Sequence, residues 1–140
     1  MIRVVLDTNV VVSAMLRSGG LPDAVFNLAT GGELQCYVSE PILAEYEEVM
    51  RRPRLGINPE KVTVALGRIR GAALLVHPVA RVTVALDPDD NIFLECAEAS
   101  AAHFLVTGNT RHFPPRWAVT HIVTPRQFMD ARSLVSAEPA

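Results

Sequence analysis

Val4-Val5-Leu6-Asp7-Thr8-Asn9 is an apolar, β-branched run that stops abruptly on an acid, a hydroxyl and an amide. A short run of this kind suits a strand covered on both faces, so residues 2 to 6 read as the first strand of a parallel sheet. Desolvation disfavours a charged carboxylate at the end of a buried strand, so Asp7 is expected to face a cation. Ligands of open α/β sheets bind beyond the carboxyl ends of the strands, which marks this end as a candidate site. The plainer reading of Asp7 is a cap on the next helix.

Outward from this stretch, Val10 to Leu16 and Leu21 to about Ala29 read as helices parted by Ser18-Gly19-Gly20, and Gly31-Gly32 ends the second. Leu34 to Val38 is the second strand. Ser39 is a candidate N-cap ahead of Pro41, and Ile42, Leu43, Tyr46, Val49 and Met50 recur as the single buried stripe of a helix. Glu45 and Glu47 flank that stripe on opposite sides, and periodicity does not choose between them. Arg51-Arg52-Pro53-Arg54 closes the helix, either as a solvated cap or as a phosphate contact. A helix from Pro59 to Gly71, a strand over Ala73 to Val76 and a less periodic connection from His77 to Leu86 follow.

Asp87-Pro88-Asp89-Asp90-Asn91 holds more acids than one helix cap needs. The helix it opens, about Asp90 to Ala101, is expected to bury Phe93, Leu94, Ala97 and Ala101, with Asp90 one turn before Leu94 on the inward side. His103 to Thr107 is a fourth strand that again ends in polar groups, Thr107-Gly108-Asn109-Thr110, followed by Arg111 and His112. Val119 to Val123 is a fifth strand, Thr124 caps a last helix from Arg126 to about Arg132, and residues 136–140 are expected to fray.

Strands alternating with helices predict an α/β fold: a three-layer αβα sandwich around a mostly parallel five-stranded sheet with right-handed crossovers, formed by residues 1–135 as one domain. A chain of 140 residues that is 49% apolar can bury an adequate core without staples. Cys36 and Cys96 belong to no C-x-x-C or zinc spacing and read as buried thiols. The net charge of -2 argues against a protein that coats nucleic acid. All but one of the thirteen cations are arginines, however, which keeps local phosphate recognition open. With no apolar run of membrane-spanning length and no basic leader, the chain reads as soluble and cytoplasmic.

Such a sheet gathers at one edge the ends of strands one and four and the starts of the helices after strands two and three. Asp7, Asp90 and a glutamate of the 40–50 helix then share a cleft. Their repulsion calls for a cation, and all-oxygen ligation suits Mg²⁺ or Mn²⁺. A metal site of this kind activates water, which is the chemistry of phosphodiester hydrolysis.

These residues carry a resemblance to the PIN domain, the nuclease fold of many toxins in bacterial toxin-antitoxin pairs. Leu6-Asp7-Thr8-Asn9 matches the family's opening motif, Ser39 with Leu43-Ala44-Glu45 its second, Asp87-Pro88-Asp89-Asp90-Asn91 with Leu94 and Ala97 its third, and Leu105-Val106-Thr107-Gly108 its fourth. Ile122 to Phe128 resembles the closing segment of a toxin-associated subgroup, so the likeness spans nearly the whole chain.

The resemblance implies that Asp7, Glu45 and Asp90 are catalytic and ligate the metal, which settles the choice of Glu45 over Glu47. It further implies that Thr8, Asn9, Ser39 and Thr107 orient ligands or water. Where the family usually carries a fourth acid this chain has Asn109, and the aspartate that often compensates three positions on is here His112. Asp89 or the imidazole of His112 could make good that loss. Arg51, Arg54, Arg111 and His112 are candidate RNA contacts.

The implied protein is a Mg²⁺- or Mn²⁺-dependent endoribonuclease, the toxin of a type II pair, expected to act on RNA, to dimerise with itself and to be restrained by a cognate antitoxin. The alternative is a PIN-fold RNA-binding or regulatory module with little turnover. A phosphoryl-transfer receiver ranks last, because it needs a lysine after a late strand and Lys61 lies in a helix.

Overall fold

In the computed structural model, which describes residues 1–136, the opening run is β1 (Arg3–Leu6), with Val4, Val5 and Leu6 buried. Burying each such side chain is worth about 1.5–3 kcal/mol, and this locates β1 at the middle of the sheet. The other strands are β2 (Gln35–Val38), β3 (Leu74–Leu75), β4 (Phe104–Val106), β5 (Arg116–Trp117) and β6 (Thr120–Val123), in the order β3-β2-β1-β4-β6-β5. Every neighbouring pair is parallel except β5 and β6. The helices are α1 (Thr8–Leu16), α2 (Leu21–Thr30), α3 (Glu40–Met50), α4 (Pro59–Ala72), α5 (Asn91–Ser100) and α6 (Pro125–Ser136). They flank the sheet in a three-layer α/β/α arrangement: α5 packs on β1, β2 and β4, while α2 and α6 pack on each other and on β2, β4 and β6.

The sheet has six strands, one more than the sequence reading expects. β5 is only two residues long, paired antiparallel to β6 across Ala118-Val119, with Ala118 in the left-handed region at φ 52°. Two residues are too few for any periodicity to register. At the opposite edge the expected strand over residues 73–76 contracts to Leu74–Leu75, both exposed. Helix starts follow the sequence closely. Ser39 Oγ accepts from the Ile42 N–H at 3.4 Å, and Thr124 with Gln127 forms a reciprocal capping box, at 3.1 and 2.9 Å. Of the tail expected at 136–140, Ser136 ends α6 and residues 137–140 lie outside the described residues.

Strand order reverses at β1. From β1 the chain moves outward through β2 and β3, then returns to its other side for β4 and β6. A crevice opens between diverging connections at such a point, and the carboxyl ends of β1 and β4 lie there side by side.

Candidate active site

At that crevice Asp7 leaves β1 and caps α1, its Oδ1 accepting from the Thr8 N–H at 2.8 Å. Its Oδ2 accepts from the Thr107 hydroxyl at 2.7 Å, so capping and facing a site coexist in one carboxylate. Thr107 Oγ1 in turn accepts from the Asn109 N–H at 3.0 Å and the Asn9 amide at 3.4 Å. Asn9 Oδ1 accepts from the Gly108 N–H at 2.9 Å, and a Cβ at position 108 would stand 3.4 Å from that oxygen. Asp7, Asn9 and Thr107 therefore tie the ends of β1 and β4 to each other.

The next acid comes from α3. Tyr46 is fully buried, its ring lies 6.5 Å from that of Phe93, and its hydroxyl donates to the Leu6 carbonyl. This pins α3 on the end of β1 and turns Glu45 inward, where Glu45 Oε2 accepts from the Thr8 hydroxyl. Glu47 turns outward and pairs with Arg51 at 2.9 Å. Ser39, expected to orient ligands, does not line the cleft. Beyond capping α3 it borders a separate hollow with His77, Arg81 and Glu95.

The third group comes from a 3-10 turn, Pro88–Asp90, held by Asp87 Oδ1 accepting from the Asp89 N–H at 3.0 Å. Asp90 Oδ2 lies 3.3 Å from His112 Nδ1, and His112 Nε2 lies 2.9 Å from the Asn109 amide nitrogen.

Asp7, Glu45, Asp87, Asp89 and Asp90 line one cleft of about 490 Å³ together with Asn109 and His112, and Val12, Val49, Leu55, Arg52 and Arg54 complete its walls. Of the candidate RNA contacts, Arg54 and His112 border this cleft, whereas Arg51 and Arg111 do not. Arg51 is held by Glu47 and Thr63. Arg52, which the sequence reading joins only to the end of the helix, is also on the cleft and pairs with Glu48 at 2.9 Å. Arg54 makes no ion pair among the described residues.

Charge is costly in this cleft. Burial pushes Asp7 up to about 6, Asp90 and Glu45 add to the rise, and the Thr107 and Thr8 donors oppose it. Burial also raises Glu45, where Asp90 and Asp89 add and the Thr8 hydroxyl opposes, and it raises Asp90, where Asp87 adds and His112 opposes. An oxygen-only set with this unrelieved repulsion fits a hard divalent cation.

The set is not closed as it stands. Among the described residues no three acidic, histidine or cysteine side chains are close enough together to hold an ion. The three carboxylates lean on protein donors instead: Asp7 on Thr107, Glu45 on Thr8, and Asp90 on His112. In the latter two the bonds run through Glu45 Oε2 and Asp90 Oδ2.

Residues 3–111 match the family described as PIN domain, a span that takes in every residue lining the cleft except His112. An uncharacterized protein of Methanocaldococcus jannaschii is 30% identical over 111 residues, covering 77% of this chain and 71% of that protein. PIN domains are nucleases that typically use divalent metals, in keeping with an acidic cleft at the point where strand order reverses. With the match running from β1 to the turn after β4, the chain belongs to the PIN domain family.

Proposed function

We propose that the chain is a Mg²⁺- or Mn²⁺-dependent endoribonuclease, the toxin of a type II toxin-antitoxin pair. The observation that carries the nuclease reading is that three separate elements deliver Asp7, Glu45 and Asp90 to one cleft, where burial and the charge of neighbouring acids raise all three carboxyls. An ion held by these three would admit an anionic phosphodiester and activate a water for attack on phosphorus. The chain's own residues supply orientation and substrate binding. Thr107 and Thr8 fix the Asp7 carboxylate, Thr8 steers Glu45, and His112 steers Asp90. Arg54 and Arg52 on the same cleft suit the phosphates flanking the scissile bond, Arg54 more so because no carboxylate among the described residues pairs with it.

Purified protein should cleave single-stranded RNA in Mn²⁺ or Mg²⁺, lose this with EDTA, regain it on adding the metal back, and lose it in Asp7→Asn. Cleavage that survives both EDTA and Asp7→Asn contradicts the mechanism. The toxin assignment rests on the resemblance of Ile122 to Phe128 to the closing segment of toxin-associated members. It entails growth arrest on expression, a small co-purifying antitoxin and a homodimer. The incomplete closure of the acids supports a second reading, an RNA-binding module without turnover. RNA binding that needs no metal and yields no product in either metal favours that reading.

A further inference from the structure

His112 stands three residues after Asn109, in a 3-10 turn, Thr110–His112, and both of its ring nitrogens are engaged. An ionised carboxylate only accepts hydrogen bonds, so a neutral His112 must carry its proton on Nδ1 and donate it to Asp90 Oδ2 at 3.3 Å. Nε2 is then an acceptor, and it faces the amide nitrogen of Asn109 at 2.9 Å, a donor. The two contacts agree on one tautomer. The backbone reinforces them: the His112 carbonyl accepts from the Leu86 N–H at 3.0 Å, directly ahead of the acid-bearing segment 87–90, and Phe113 is buried behind it. Side chain and main chain of one residue thus hold Asp90 and the loop that carries it.

We infer that His112 is a positioning residue, a ring whose tautomer is set by Asn109 and which aims the Asp90 carboxylate into the cleft while ligating no metal itself. A nitrogen ligand needs a free lone pair, and the one on Nε2 is taken by Asn109. In this chain Asn109 and His112 stand where a fourth acid would otherwise be, and they order the third acid without adding negative charge. The inference rests on the metal-dependent reading above.

Groups that orient metal ligands typically change metal affinity 10- to 100-fold when removed. The test is Mn²⁺ affinity by calorimetry, the electron spin-echo spectrum of bound Mn²⁺, and kcat and KM on an RNA oligonucleotide, for the wild type and three variants. His112→Asn places an amide N–H near the Nδ1 position and keeps the bond to Asp90, whereas His112→Gln reaches the Nε2 position and loses it. His112→Ala and His112→Gln are expected to bind Mn²⁺ about tenfold more weakly and to lower kcat with little change in KM. His112→Asn should recover most of both, and no histidine nitrogen coupling should appear in wild-type Mn²⁺ spectra. Such a coupling, or Mn²⁺ affinity in His112→Ala equal to the wild type, overturns the positioning role alone. A wild type that binds no Mn²⁺ and cleaves no RNA overturns the metal-dependent reading and this role together.

Discussion

Asp7 ends a buried strand, caps a helix and shares its cleft with four other acids, and the cost of that placement is measurable. The folded chain holds its proton up to about 6, against 3.8 ordinarily, so its contribution favours folding below about pH 4 and is lost as pH rises through about 6. The interval corresponds to about 3 kcal/mol at most. In EDTA, Asp7→Asn should therefore be more stable than the wild type by an amount that grows between pH 4 and 6 and then levels off, as read by urea unfolding across that range. A gap independent of pH contradicts a buried, charged Asp7. Arg54→Ala should weaken RNA binding uniformly across sequences and reduce the slope of log affinity against log salt by about 1, as titrations at several salt concentrations would show. Asp7, Asp90 and Thr107 were legible in the sequence because each ends an apolar run or begins a helix with more polarity than a cap requires. Glu45 and Glu47 were not separable by periodicity. What separates them is Tyr46, whose bond to the Leu6 carbonyl joins residues 40 positions apart, and no local pattern encodes it.

At the scale of elements, α3 is the part whose placement matters most for the cleft. Tyr46→Phe removes the partner of a buried carbonyl, which costs about 1–3 kcal/mol. Because it also frees α3 on β1, catalytic activity should fall by more than the small drop in folded population accounts for. Unfolding free energy and kcat measured on the same preparation separate the two effects, and unchanged kcat contradicts the view that Tyr46 sets Glu45. A second prediction concerns α5, which ends on Ala101, exposed and not buried as expected because the chain turns there into the left-handed region at φ 50°. Glycine accepts that conformation without a Cβ penalty, so Ala101→Gly should raise stability by about 0.5–1 kcal/mol, visible as a higher melting temperature. Long elements were readable because burial repeats along them: β1 as an unbroken apolar run and α3 as one stripe. Short edge elements were not. β3 shrinks to two exposed leucines, and β5 exists only because Arg116 and Trp117 fold back on β6 through Ala118.

At the scale of the whole molecule, one feature organises the chemistry: the reversal of strand order at β1, which draws residues 7, 45, 87, 89, 90, 109 and 112 into one cleft. The alternation of strands and helices made this convergence readable in advance. The side-chain arrangement within the cleft was not, since Ser39 caps its helix away from the cleft and His112 contacts Asp90. No helix among the described residues is long and apolar enough to cross a membrane. The cation site proposed above is formed by Asp7, Glu45 and Asp90 and not by their neighbours. The most direct measurement is calorimetric titration of Mn²⁺ into the wild type, Asp7→Asn, Glu45→Gln, Asp90→Asn and, as the outward-facing comparison, Glu47→Gln. The account predicts binding by the wild type and Glu47→Gln at equal affinity, with binding weakened at least tenfold in each of the other three. Undiminished binding in any of those three, or loss of binding in Glu47→Gln, would contradict it.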